Sequence, residues 1–367
     1  MTRNLIFTLL LLTFVTTLPA QTRNFNIIAY YAGGPEKADS LPAEKLTHII
    51  YSFCHLKGNQ LTVDSPNDSI TITKLVGLKT RNPQLKIILS LGGWGGCETC
   101  SDAFSTPMGR KEFAESTLAL NQKFNCDGID LDWEYPAIEG FPGHKFVEDD
   151  RTNFTELIRE LRRTMGKDYQ ISFAAGGFEK FLDESVDWEE ITDEVDRINL
   201  MSYDLINGYS TTTGHHTPLF STPLQSESAH HAIRYLLKKG VPRDKIVIGA
   251  AFYARIWENV PSFNDGLYQA GKFKTAVNYY QFPVELSTES GFEFFWDETA
   301  QAPYAYNPKK KLFATFDDKK SIEQKTNYVI DQKLDGIMFW EISHDLSRDG
   351  LVDTIYGLKQ NSGKKRK

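Results

Sequence analysis

Asp127-Gly128-Ile129-Asp130-Leu131-Asp132-Trp133-Glu134-Tyr135-Pro136 is the stretch on which the reading of this chain turns. Acids at 130, 132 and 134 alternate with Ile129, Leu131 and Trp133. Successive side chains of a strand point to opposite faces, so the three carboxylates share one face and the apolar residues share the other. Burying three acids side by side is costly, because each ionised neighbour resists the next. A structural role alone does not justify that cost. Stacked carboxylates at the end of a strand point to acid/base chemistry.

Short β-branched and aromatic runs bounded by turns recur on both sides of this segment. They are Ile27–Tyr31, Leu46–Phe53, Leu85–Leu91, Gly128–Trp133, Gln170–Ala174, Arg197–Tyr203, Ile246–Phe252 and Gly336–Trp340. Helical patterns lie between most of them, as in Pro107–Phe124, Asp149–Met165 and Ser228–Lys239, with apolar residues three and four apart. Strand–helix alternation eight times over predicts an α/β fold, a (β/α)8 barrel. A doubly wound open sheet is the alternative, but no Gly-x-Gly-x-x-Gly turn opens the first unit. Between the seventh and eighth runs, residues from about 256 to about 316 are rich in Tyr, Phe and Pro and lack helical periodicity. That stretch predicts a small α+β insertion on the rim of the barrel, before a helix resumes at Lys319–Asp331. No internal repeat or low-complexity linker suggests a second module.

With 41% hydrophobic and 24% charged residues, the 367-residue chain can build a sizeable core. Its net charge of −7 argues against a nucleic-acid partner held by phosphate contacts. Aromatics make up 13%, which suits sugar rings, although most are expected in the core. Arg3, an apolar run from Leu5 to Val15 and a small residue at Ala20 match an export signal cleaved after Ala20, giving a secreted or periplasmic protein. No membrane association is expected once the signal is removed. The end of the chain, 361–367, reads as a frayed basic tail. In an exported chain, Cys97 and Cys100 read first as a local disulfide, with free thiols and a zinc half-site as the alternatives. Cys54 and Cys126 read as buried small residues. The pairs His215-His216 and His230-His231 read as solvated surface.

Catalytic groups of such barrels sit at the C-terminal ends of the strands. In order these ends carry Tyr30-Tyr31, Phe53, Ser90-Leu91-Gly92-Gly93-Trp94, Asp132 and Glu134 followed by Tyr135, Met201-Ser202-Tyr203-Asp204, Tyr253 and Arg255, and Trp340-Glu341. Glu134 is the outermost acid. A nearby anion raises the pKa of a carboxyl group, so a Glu above an Asp can stay protonated and donate to a leaving oxygen. Asp130, deeper in the lumen, needs a hydrogen-bond partner or a shared proton and is expected to tune Asp132. Asp127 is expected to begin the strand in a mainly structural role.

These residues carry a resemblance. Asp127–Glu134 is similar to the Asp-x-x-Asp-x-Asp-x-Glu signature of family 18 glycoside hydrolases, the chitinases and their relatives. Ser90-Leu91-Gly92-Gly93, Met201-Ser202-Tyr203-Asp204 and Gly249-Ala250-Ala251-Phe252-Tyr253-Ala254-Arg255 resemble the family's motifs on strands 3, 6 and 7. The stretch Trp296-Asp297…Pro303-Tyr304-Ala305-Tyr306 resembles the insertion of many chitinases. The resemblance runs from about Asn24 to about Gly357. It implies retaining hydrolysis of β-1,4-linked N-acetylglucosamine, in which the substrate's own acetamido oxygen attacks while Glu134 protonates the leaving oxygen. It further implies that Asp132 holds the acetamido N–H, Tyr203 orients that group, Asp204 binds the distorted sugar and Trp340 stacks beneath it. Tyr30, Phe53, Trp94, Tyr135, Met201, Tyr253 and Arg255 would complete the substrate cleft. No cofactor or metal is implied, and a monomer is expected.

The chain departs from the family's pattern with Ala251 where many relatives carry Pro, Ala254 where many carry Gly, and Tyr209 where many have a Trp at the product-side wall. Three other readings compete. One is a chitin-binding, lectin-like protein, although Glu134 is present with both flanking acids. Another is an endo-β-N-acetylglucosaminidase acting on N-linked glycans, whose members usually lack the insertion. The third, a carboxylate-bound metal hydrolase, would be expected to use His at strand ends.

Overall fold

The computed structural model describes residues 25–362, so the segment read as an export signal and residues 363–367 of the tail lie outside the described residues. Fourteen strands follow in chain order among those residues: β1 (Asn26–Tyr31), β2 (His48–Lys57), β3 (Gln60–Thr62), β4 (Lys86–Gly92), β5 (Gly128–Asp132), β6 (Gln170–Gly176), β7 (Arg197–Met201), β8 (Ile246–Ala251), β9 (Tyr253–Glu258), β10 (Lys272–Asn278), β11 (Glu293–Asp297), β12 (Ala302–Asn307), β13 (Leu312–Thr315) and β14 (Gly336–Trp340). Parallel pairing runs β1-β2-β4-β5-β6-β7-β8-β14 and returns from β14 to β1. Eight parallel strands thus close into the (β/α)8 barrel.

The period-2 pattern sorts each strand into an inner and an outer face. Ile28 and Tyr30 of β1 pack into the lumen with Ile50, Ile88, Ala174, Val247 and Met338. Ile27, Ala29 and Tyr31 of the same strand point outward into the larger core beneath the helices. On β5 the outward set is Ile129 and Leu131, with Trp133 just beyond the strand. The Trp133 ring lies 5.5 Å from Phe104 and 6.3 Å from Phe154. The acids are therefore lumen-facing because their neighbours are claimed by the helical layer.

Helix Pro107–Phe124 illustrates how local sequence sets the outer layer. Thr106 caps it by accepting from Gly109 N, Pro107 occupies the first turn, and Asn125 ends it in a left-handed conformation with φ 60°. The last helix, Leu351–Ser362, includes Asn361 and Ser362, so the first two residues read as frayed tail are helical instead.

Strands β9 to β13 form a separate antiparallel sheet in the order β10-β9-β13-β12-β11. It starts at Tyr253, directly after β8, rather than near residue 256. Tyr253 and Arg255 are accordingly strand residues of this second sheet, not ends of the barrel strand. Alternation again divides its faces: Ala254, Ile256 and Ala314 pack on one side, Trp257, Tyr304 and Phe313 on the other. The long loop 202–228 grips this sheet. Trp257 Nε1 donates to Ser210 O at 2.9 Å, and His216 N donates to Thr315 Oγ1 at 3.1 Å. No helix among the described residues is long and apolar enough to cross a membrane.

Candidate active site

The C-terminal ends of the barrel strands and the edge of the second sheet enclose a cavity of about 930 Å³. Of the thirteen catalytic and substrate-binding candidates named from sequence, twelve line it, and Asp130 lies beneath.

Register explains how Asp130 is held. Ser90 of β4 and Ser172 of β6 stand opposite it on the neighbouring strands. Their hydroxyls donate to its carboxylate at 3.2 and 2.6 Å, joined by the Tyr30 hydroxyl and by Asn199 Nδ2, both at 2.9 Å. The side chain is fully buried. Burial raises its pKa, while these four hydrogen bonds pull the other way. Its depth is thus matched by a complete set of donors. Ser172 and Asn199 escaped notice in the sequence; each is a polar residue at lumen parity, one pleat above Gln170 and Arg197 respectively on its strand.

Asp132, also buried, is treated differently. Its Oδ1 has no hydrogen-bond partner among the described residues. Burial lifts its pKa well above the usual carboxylate range, and Glu134 and Asp130 add to the effect. Glu134, just past the end of β5, is partly exposed to the cavity. Burial pushes its carboxyl up to about 7, with the Tyr135 hydroxyl opposing and the charge of Asp204 assisting. A carboxyl near 7 can give a proton at neutral pH and take one back.

Close strand approach sets the wall beside these acids. Gly92, at φ 105°, leaves no room for a side chain, because a Cβ would lie 2.2 Å from the carbonyl oxygen of Asp132. Gly93 N donates to that same oxygen at 2.9 Å. The loop then presents Trp94, 47% exposed, and is tied at its far side by a disulfide between Cys97 and Cys100. Trp94 lies 6.4 Å from both Tyr135 and Tyr209. Cys54 and Cys126 are free and buried. Among the described residues no group of three or more His, Cys, Asp or Glu is placed to hold a metal ion.

Trp340 forms the floor, stacked on Phe53 at 5.7 Å and tilted against Tyr30 at 5.9 Å. Non-proline cis peptide bonds occur at Ser52–Phe53, Glu134–Tyr135 and Trp340–Glu341. Met201 and Tyr203 pack against the lumen cluster, and the Tyr203 hydroxyl lies 3.8 Å from Met338 Sδ. Burial holds the Tyr203 phenol well above its usual pKa, so it is a neutral donor.

Asp204 has a left-handed backbone, φ 55°, and its carboxylate is held in a fork by Arg255. Arg255 Nε donates to Oδ1 at 2.7 Å and Nη2 donates to Oδ2. Burial alone would raise the pKa of Asp204, but His216 and the Arg255 guanidinium hold it well below the usual carboxylate range. Arg255 also lies 5.4 Å from the Tyr253 ring. The sheet that begins at Tyr253 therefore reaches into the site, and it contributes Phe273 and Asn278 to the cavity wall as well. Neither carried a signal in the sequence. His344 lines the cavity too, with its Nε2 3.3 Å from Glu341 Oε1.

Two sequence readings are corrected here. His215 and His216 are fully buried rather than solvated, because loop 202–228 is folded beneath the second sheet. His215 Nε2 pairs with Asp297 at 3.0 Å. His230 and His231 lie on helix Ala229–Lys238 and are half-buried, with His230 Nδ1 2.8 Å from the Tyr328 hydroxyl. Asp127 precedes β5 and is pinned by Lys79 and Lys86 at 2.6 and 3.1 Å, outside the lumen.

Known proteins share this fold. The chain is 32% identical to Chitinase A1 of Niallia circulans over 301 residues, 76% of this chain but only 43% of that protein's length. Its fold superposes on chitinase ChiA74 from Bacillus thuringiensis with a TM-score of 0.87 and 27% identity, covering 92% of this chain and 70% of that one. A family 18 N-acetylglucosaminidase from Paenibacillus barengoltzii gives a TM-score of 0.82 and 34% identity, covering 91% and 99%. The family model for glycosyl hydrolases family 18 matches residues 26–345, from the first barrel strand to just past the last. With the acid stack, the aromatic floor and nearly the whole barrel falling inside that match, the chain belongs to glycosyl hydrolase family 18.

Proposed function

We propose that the protein is a chitinase that cleaves β-1,4 linkages between N-acetylglucosamine units with retention of configuration. The observation that carries the proposal is the Glu134 carboxyl, pushed up to about 7 and facing a cavity floored by Trp340. Glu134 protonates the leaving oxygen while the substrate's acetamido oxygen attacks the anomeric carbon. Asp132, whose Oδ1 is unpaired, accepts from the acetamido N–H and so holds the acetamido oxygen on the anomeric carbon. Tyr203 donates to the acetamido group and Asp204 hydrogen-bonds the distorted sugar. Glu134 then takes a proton from the water that opens the ring intermediate. Asp130, satisfied by four donors, is a fixed support below Asp132. The similarity to Chitinase A1 and to ChiA74 supports chitin as the polymer. The bonded Cys97–Cys100 pair supports action in an oxidising compartment, in keeping with an export signal ending at Ala20.

A chitin hexamer followed by NMR tests this reading. The expected first product is the β-anomer of a disaccharide, with kcat/KM falling on the alkaline side as Glu134 loses its proton near pH 7. Initial release of the α-anomer contradicts substrate assistance. The match to an N-acetylglucosaminidase over 99% of that chain favours a second reading, in which the chain ends are trimmed one sugar at a time. Release of monosaccharide from the hexamer would select it. Cleavage of a high-mannose glycoprotein with chitin untouched would select action on N-glycans, and binding without turnover a lectin-like role.

A further inference from the structure

His216 is a fully buried side chain that the proposed chemistry does not use. Its backbone N–H is fixed on Thr315 Oγ1 at 3.1 Å, and its ring lies 5.3 Å from that of Tyr253. The next residue, Thr217, is anchored by Lys325 Nζ at 2.5 Å and donates to the carbonyl of Ser202 at 3.1 Å. The chain is thus anchored at His216 and at the residue after it, and the buried ring packs against Tyr253. Its Nδ1 lies 3.4 Å from Asp204 Oδ1, the same oxygen that Arg255 Nε holds at 2.7 Å. Neither ring nitrogen has a hydrogen-bond partner among the described residues, so the approach to Asp204 is an ion-pair-distance contact rather than a formed hydrogen bond.

We infer that His216 is a positioning residue of the active site, its Nδ1 set against Asp204 Oδ1 so that the imidazole and Arg255 together keep the carboxylate turned toward the acid. The charged and titratable groups around the ring agree with a neutral donor. Asp204 faces it from the loop after β7, Arg255 and Tyr253 from β9, and Asp317, paired with Lys325, from beyond β13. Burial and the Arg255 cation disfavour a second proton on the ring, while Asp204 and Asp317 favour one, and the net direction is downward. A neutral imidazole beside a carboxylate must place its single proton on the facing nitrogen. Two consequences follow. Asp204 stays ionised between His216 and Arg255, and its charge helps to keep the Glu134 carboxyl protonated.

The inference rests on Glu134 as the acid, and the experiments separate the two. His216→Ala is expected to lower kcat about tenfold with KM changed less than about twofold, since a buried polar contact with a charged group is lost. The alkaline limb of the pH profile is expected to move to lower pH, because Asp204 then supports the Glu134 proton less firmly. His216→Asn keeps an N–H donor on a short stem and is expected to restore both. A purely structural role would lower thermal stability without moving the limb. An unmoved limb in a folded His216→Ala protein, or an equal loss in His216→Asn, overturns the inference. Nitrogen-15 NMR of the full chain reads the tautomer without any substrate. A proton on Nδ1 is expected, and one on Nε2 alone overturns the inference even if the alanine variant fails to fold. Absence of wild-type turnover on chitin sugars would overturn the chitinase reading and leave the NMR result to judge His216.

Discussion

Replacing Glu134 with glutamine is expected to lower kcat/KM on a chitin oligosaccharide by roughly 10²–10⁴-fold, the usual contribution of a positioned general acid and base. The same substitution is expected to stabilise the folded protein at alkaline pH. The sign follows from linkage. The folded-state value of Glu134 is about 7, above its ordinary 4.5, so the folded protein holds this proton more tightly than the unfolded chain. That contribution is fully present below about pH 4.5 and is lost as pH rises through about 7. At pH 8 the wild type must keep an ionised carboxylate in a largely desolvated site, a penalty of roughly 3 kcal/mol at most. Glutamine has no charge to bury. Thermal unfolding of both proteins at pH 5 and pH 8 should therefore give a gap in favour of Glu134→Gln that opens at the higher pH. Near wild-type turnover in the variant would remove Glu134 from the chemistry. A gap independent of pH would remove the electrostatic account while leaving the catalytic one standing.

Much of this site was legible because its information is periodic. Alternation in 128–133 fixes which side chains enter the lumen, and a parallel barrel then brings eight strand ends together whatever the loops do. Tyr30, Asp132, Tyr203 and Trp340 meet for that reason. Ser172 and Asn199 were legible in principle as polar residues at lumen parity, but Gln170 and Arg197 share that parity, and only the register across β5, β6 and β7 gives them a purpose. Phe273, Asn278 and the burial of His215 and His216 were not legible. They depend on how the second sheet leans over the barrel and covers loop 202–228, and no spacing in the sequence encodes that packing. A His pair in an irregular segment looks the same whether it is solvated or roofed.

What fixes that lean is testable through Lys325. On helix Lys319–Gln332, Lys325 pairs with Asp317 at 2.6 Å, and both side chains are fully buried. Asp317 follows the last strand of the second sheet; its carboxylate accepts from Ala251 N at 3.0 Å and Ser321 Oγ at 2.6 Å, and Thr217 Oγ1 lies 3.2 Å from it. One pair of charges thereby joins the end of β8, the return from the second sheet, loop 202–228 and the following helix. Burial lowers the pKa of Lys325, while Asp317 opposes the shift. Lys325→Met is expected to destabilise the protein by about 3–5 kcal/mol, because it leaves a buried carboxylate without its cation. For a domain of this size that corresponds to a fall in Tm of roughly 5 °C or more. Adding Asp317→Asn to Lys325→Met should recover most of the loss, since the amide keeps an acceptor for Ala251 N and no charge remains. A single variant as stable as wild type would mean that the pair does not carry the junction. A double variant no better than the single would place the loss in packing around the lysine stem rather than in an orphaned charge.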